Sequence, residues 1–127
     1  MARRIRIQNP RLDKNYKTLL AADYSSGVTL TVINNAAFGA NDILVVGEPR
    51  EEKTEGKTKL SSVSSSTGMT ISSALNFAHG KGTAIYKTLW DKVSIESRSS
   101  SAGTFAEIAE INIQWDNHNN ETVYYDS

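Results

Sequence analysis

The sequence contains no cysteine, which excludes a disulfide framework and any thiolate nucleophile or metal ligand. That absence fits a reducing compartment. No apolar run approaches the roughly 18–20 residues that span a bilayer, so no transmembrane helix and no membrane partner are expected. The opening residues, MARRIRIQNP, are basic and lack the apolar stretch of a secretory signal. Histidine is scarce. His79 and His118 are the two present, and neither has another histidine nearby, so no zinc-type ligand set and no cofactor are expected. No serine sits in a G-x-S-x-G elbow. Gly80-Lys81-Gly82-Thr83 lacks both the full order of a phosphate loop and a helix to follow it.

The remaining chemistry-bearing residues have structural readings. Glu51, Glu52 and Glu55 crowd together but interleave with Arg50, Lys53, Lys57 and Lys59. A calcium loop does not mix its ligands with so many cations, so a solvated charged edge that discourages stray strand pairing is expected. His79 precedes Gly80 at a strand-to-strand corner, where its ring is expected to bond the turn backbone. His118 and Asp116 read as solvated members of an Asn-rich turn. Trp90, Trp115, Tyr124 and Tyr125 read as aromatics that pin sheets rather than as a sugar platform. Together these readings point away from an enzyme.

What the chain does contain is short-period alternation. Val28, Leu30 and Val32 alternate with Thr29, Thr31 and Ile33, which predicts a strand with one buried face. Ile43 to Val46 is an unbroken apolar run, which predicts a strand covered on both faces. Turn signals recur every 8–12 residues, among them Asn34-Asn35, Ser64–Gly68, Gly80–Gly82, Ser99–Gly103 and Trp115–Asn120. Helix competes only over Thr104–Glu110, where flanking hairpin signals favour strand. The expected fold is all-β: a small antiparallel barrel or sandwich plus a shorter C-terminal β segment, with an extended N-terminal arm.

Charge divides the chain further. The formal net charge is +0, yet residues 1–20 hold Arg3, Arg4, Arg6, Arg11, Lys14 and Lys17 against Asp13 alone. Residues 88–127 hold seven carboxylates against Lys92 and Arg98. The expected organisation is an extended basic arm over 1–17, a barrel or sandwich module over 18–88, and a partial sandwich-like segment over 89–127. Such polarity steers association, including head-to-tail contact between copies. In the arm, Ile5 and Ile7 alternate with Arg4 and Arg6, which predicts a short strand able to join another sheet before Asn9-Pro10 breaks it.

Several of these segments resemble structural proteins of tailed bacteriophages. The order Gly27–Val32, Phe38-Gly-Ala-Asn-Asp42, Ile43–Glu48, Ala74-Leu-Asn-Phe-Ala-His-Gly80 and Gly82–Tyr86 is similar to a glycine-led strand, a "gF-x-x-g-D" turn, a "vGe" strand end and an "L-x-F-a-H" corner in that group. Val93–Arg98 with Thr104-Phe105, Ile108-Ala109 and Tyr125-Asp126 resembles the first strands of a fibronectin-III-like sandwich. The chain departs from the pattern where lysine-rich Arg50–Glu55 replaces an acidic segment, and where further sandwich strands would follow. The resemblance implies a non-enzymatic virion component of the neck, tail or baseplate region, made in the host cytoplasm. Its partners would be other virion proteins and copies of itself in a symmetric homo-oligomer, met through Arg3, Arg4, Ile5, Arg6, Ile7 and Arg11. A capsid decoration protein is the alternative. A nucleic-acid-binding barrel is a second one, disfavoured by positive charge confined to the arm and a near-neutral pI of about 6.7.

Overall fold

In the computed structural model, which describes residues 3–90, 92–97, 103–104 and 106–126, the protein is all-β, with 48% strand and 3% helix. The strands are β1 (Arg3–Gln8), β2 (Lys17–Leu19), β3 (Thr29–Thr31), β4 (Ile43–Val46) and β5 (Glu55–Ser64). They continue as β6 (Gly68–Ile71), β7 (Ala84–Thr88), β8 (Lys92–Ser97), β9 (Ala106–Asn112) and β10 (Glu121–Asp126). The helix competing for Thr104–Glu110 does not form. Residues 106–110 lie in β9, paired with β8, and Ile108 is the extra residue where the register shifts between Ile95 and Glu96.

Six strands form one antiparallel sheet in the order β2-β7-β4-β5-β6-β3. Its two outer strands then meet each other. Leu20 bridges Val32, Ala21 N–H donates to the Thr31 carbonyl at 2.8 Å, and Ile33 N–H donates to the Leu19 carbonyl at 3.0 Å. The sheet therefore closes into a barrel, which leaves its wall without an open edge among the described residues. Two irregularities in β5 pairing, opposite Leu44/Val46 and between Leu60 and Ser62, give its ten residues the bend that closure demands.

Period-2 alternation sorts the side chains. Leu20, Leu30, Val32, Leu44, Val46, Leu60, Met69, Ile71 and Ile85 point inward and pack with Tyr24 and Phe38. Leu30 and Val32 lie where the alternation predicts. Val28 does not: it is 41% exposed, because it precedes the strand in the turn after Gly27, whose φ is +90°. The unbroken run in β4 has the predicted cause. Val45 faces outward but is covered, together with Ala84 and Tyr86, by Ile113 and Trp115.

The polar segment at Arg11–Lys17 is not simply extended. Asp13 accepts a hydrogen bond from Asn15 N–H at 2.8 Å and caps a 3-10 turn over Lys14–Tyr16, from which β2 leaves. The four other strands form two ribbons: β1 with β10, and β8 with β9. The basic N-terminal segment is thus extended, and its partner is the last strand of its own chain, with Arg4 opposite Tyr125 and Ile7 opposite Thr122. The hairpin loop expected at Ser99–Gly103 lies mostly outside the described residues, as does Phe105.

Candidate assembly surface

The sequence of β1 dictates a two-faced ribbon. Arg4 and Arg6 share one face with their partners Tyr125 and Val123, while Ile5 and Ile7 share the other with Tyr124 and Thr122. Arg4 and Arg6 are exposed, Tyr125 is 69% exposed and Ile7 is half-buried. A polar joint anchors the ribbon. The fully buried Thr122 hydroxyl donates to Asn9 Oδ1 at 2.5 Å and accepts from Gln114 N–H at 3.0 Å, and Asn9 Nδ2 donates to the Gln114 carbonyl at 3.0 Å. Of the expected contact residues, Arg3 to Ile7 therefore lie along one strand. Arg11 is set apart, in a cleft of about 210 Å³ that it shares with Pro10, Tyr16, Lys87, Leu89 and Trp90.

The β8–β9 hairpin is the acidic counterpart. Val93 and Ile95 pair with Ile111 and Ala109 on one face; Ser94, Glu96, Glu107 and Glu110 occupy the other. Lys92 pairs with Glu110 at 3.2 Å, and the Ser94 hydroxyl bonds Glu107. Glu96 stands directly opposite Glu107, an arrangement in which like charges repel. Ile7 and Thr122 of one ribbon and Val93 of the other line a shared cleft of about 200 Å³ with Gln8, Trp90, Lys92 and Ile113.

Two polar clusters escaped the sequence reading. Glu55, expected on a solvated charged edge, is buried, because its strand is part of the barrel wall. Its carboxylate accepts Asn76 N–H at 2.7 Å and Phe77 N–H at 3.0 Å, and meets His79 Nε2 at 2.8 Å. His79 also exchanges two backbone hydrogen bonds with Tyr24, and the Tyr24 hydroxyl accepts Leu75 N–H at 3.0 Å. The corner over residues 74–79 is thereby stitched to the barrel. The carboxylate's acceptor sites are engaged by three donors, an arrangement suited to holding a loop. Among the described residues no group of three His, Asp or Glu side chains gathers to hold a metal. His118 lies on an exposed turn, where its carbonyl accepts Arg50 Nε–H at 3.1 Å.

On the barrel's outer face the Tyr86 hydroxyl donates to Glu48 at 2.8 Å, and Lys17 pairs with the same carboxylate at 3.1 Å. The hydrogen bond to Glu48, then that to Tyr86, raises the Lys17 ammonium above its ordinary 10.5. Burial, then the bond to Glu48, raises the Tyr86 phenol above its ordinary 10.0. Neither cluster had a motif to announce it. The only hint of the first was a glutamate and a histidine at opposite ends of the chain's middle third. Comparison with protein-family models, with curated proteins and with solved structures gives no match, and the chain is assigned to no family.

Proposed function

We propose that the protein is a non-enzymatic structural component of a tailed-phage particle, placed in its neck, tail or baseplate region and assembled through its two ribbons. One observation carries the reading: with the barrel wall closed, the open backbone edges among the described strands belong to β1–β10 and β8–β9. Open edges are the sites at which sheets extend from one chain to another. The resemblance of the barrel segments to phage structural proteins supplies the biological setting. Individually small ribbon contacts would gain strength from repetition in a symmetric particle.

The test is to purify particles by density gradient from the phage that encodes the chain, identify their proteins by mass spectrometry, and label this one. Presence at the tail or neck supports the reading. Labelling across the shell replaces it with capsid decoration, and absence from particles ends both. A second reading has one observation in its favour. Arg11 and Lys87 share a cleft with Tyr16 and Trp90, the pairing of cations and aromatic rings that suits single-stranded nucleic acid. Binding of a single-stranded oligonucleotide that weakens steeply with salt supports that reading.

A further inference from the structure

The two ribbons turn complementary surfaces outward. Ile7, Thr122 and Val93 line the cleft between them together with Gln8 and Lys92, while Arg4 and Arg6 stand on the ribbon face opposite Ile7, and Glu96 and Glu107 on the hairpin face opposite Val93. All four charged side chains are exposed. Each face also carries a large apolar side chain in the open, Tyr125 at 69% and Ile108 at 48% exposure. On the acidic face, Glu96 and Glu107 are juxtaposed across the hairpin, and no ion pair to either occurs among the described residues. A cation brought from outside relieves that repulsion.

We propose that the occupant of each face is a second copy of this chain: the Arg4/Arg6/Tyr125 face of one molecule lies on the Glu96/Glu107/Ile108 face of the next. This deepens the assembly reading, on which it rests, by naming the partner. Charge complementarity within a single sequence whose net charge is +0 favours a copy over a foreign protein. The contact is heterologous, so it propagates head to tail and closes into a ring or continues as a stack. Two short strands per side cover less than the roughly 800 Å² per partner of a stable complex, so the contact is weak in isolation.

Sedimentation velocity of the full chain over a concentration series, at low and high salt, tests this. The wild type is expected to form heavier species as concentration rises, and added salt should disperse them. The double variants R4E/R6E and E96K/E107K should each associate at least about tenfold more weakly, since each brings like charges together. Their equimolar mixture should recover wild-type association, because each variant restores the charge its neighbour lacks. Unchanged thermal melting of both variants shows that the loss is not misfolding. A wild type that sediments as a monomer throughout, or a mixture no better than its components, overturns the proposal. A monomer that is nevertheless found in particles would sink self-association and leave the virion reading standing.

Discussion

Gly56 lies directly beneath the indole of Trp115: a Cβ built on it would stand 2.7 Å from Cδ1 and 2.8 Å from Nε1. The ring seals the outer face of the barrel over Val45, Ala84 and Tyr86. Its backbone is tied in as well, since the Trp115 carbonyl accepts Arg50 N–H at 2.9 Å. Gly56→Ala should therefore push the ring off its seat and lower unfolding free energy by about 1–3 kcal/mol. Gly39→Ala, with nothing within 4 Å of the added carbon, should change it by no more than about 0.5 kcal/mol. Urea denaturation of both measures the difference, and equal midpoints would contradict the close approach.

Glu55→Ala removes the acceptor for two backbone amides and the partner of His79. Leaving two part-buried amides and the buried His79 ring without their acceptor should cost about 1–3 kcal/mol. Glu55→Gln retains a carbonyl oxygen and should cost less. Amide hydrogen exchange localises the effect: residues 76 and 77 should lose protection in both variants. A change confined to global stability would mean that the corner does not depend on this carboxylate.

Alkaline pH should destabilise the protein through Tyr86 and Lys17. Both hold their protons more tightly when folded than when unfolded. Between the unfolded and folded values the native state retains a proton the unfolded chain has released, so stability falls as pH rises. Their contribution is complete below their ordinary values of 10.0 and 10.5 and is lost above them. Melting temperature followed from pH 8 to about 11 should decline less steeply in Tyr86→Phe than in the wild type. Parallel curves would refute this assignment.

Thr18 is buried on β2, and its hydroxyl has no hydrogen-bond partner among the described residues. Thr18→Val replaces that hydroxyl with a methyl of similar size. Because an unpaired buried polar group is itself a penalty, the substitution should leave stability unchanged or raise it by up to about 1 kcal/mol. A loss above that amount in chemical denaturation would indicate an acceptor or water that the geometry does not reveal.

The barrel was legible in the sequence to the extent that its strands are governed by local alternation and turns. Leu30 and Val32 declare their buried face, and Ile43–Val46 declares two covered faces. Trp115 reads as a sheet-pinning aromatic and does cover Val45, but its seat on Gly56, some sixty positions earlier, is not legible. Glu55 was misread for a related reason. Its lysine neighbours gave the whole stretch a solvated character, and period 2 alone would put Glu55 on the exposed face of Lys59. The register shift that pairs Leu44 with Thr58 but Val46 with Glu55 turns it inward instead. The closing bridge between Leu20 and Val32 and the pairing of β1 with β10 depend on long-range register, which composition does not encode.

The pairing of Arg3 with Asp126 also governs the order of events. All six barrel strands come from the contiguous stretch Lys17–Thr88, whereas the β1–β10 ribbon cannot form until both extremes of the chain are present. Closing so long a loop carries a larger entropic cost than any single barrel hairpin. The ribbon is therefore expected to open more readily than the barrel wall. Each opening frees the β1 edge for a moment, so exchange of that strand between neighbouring molecules competes with its return to β10.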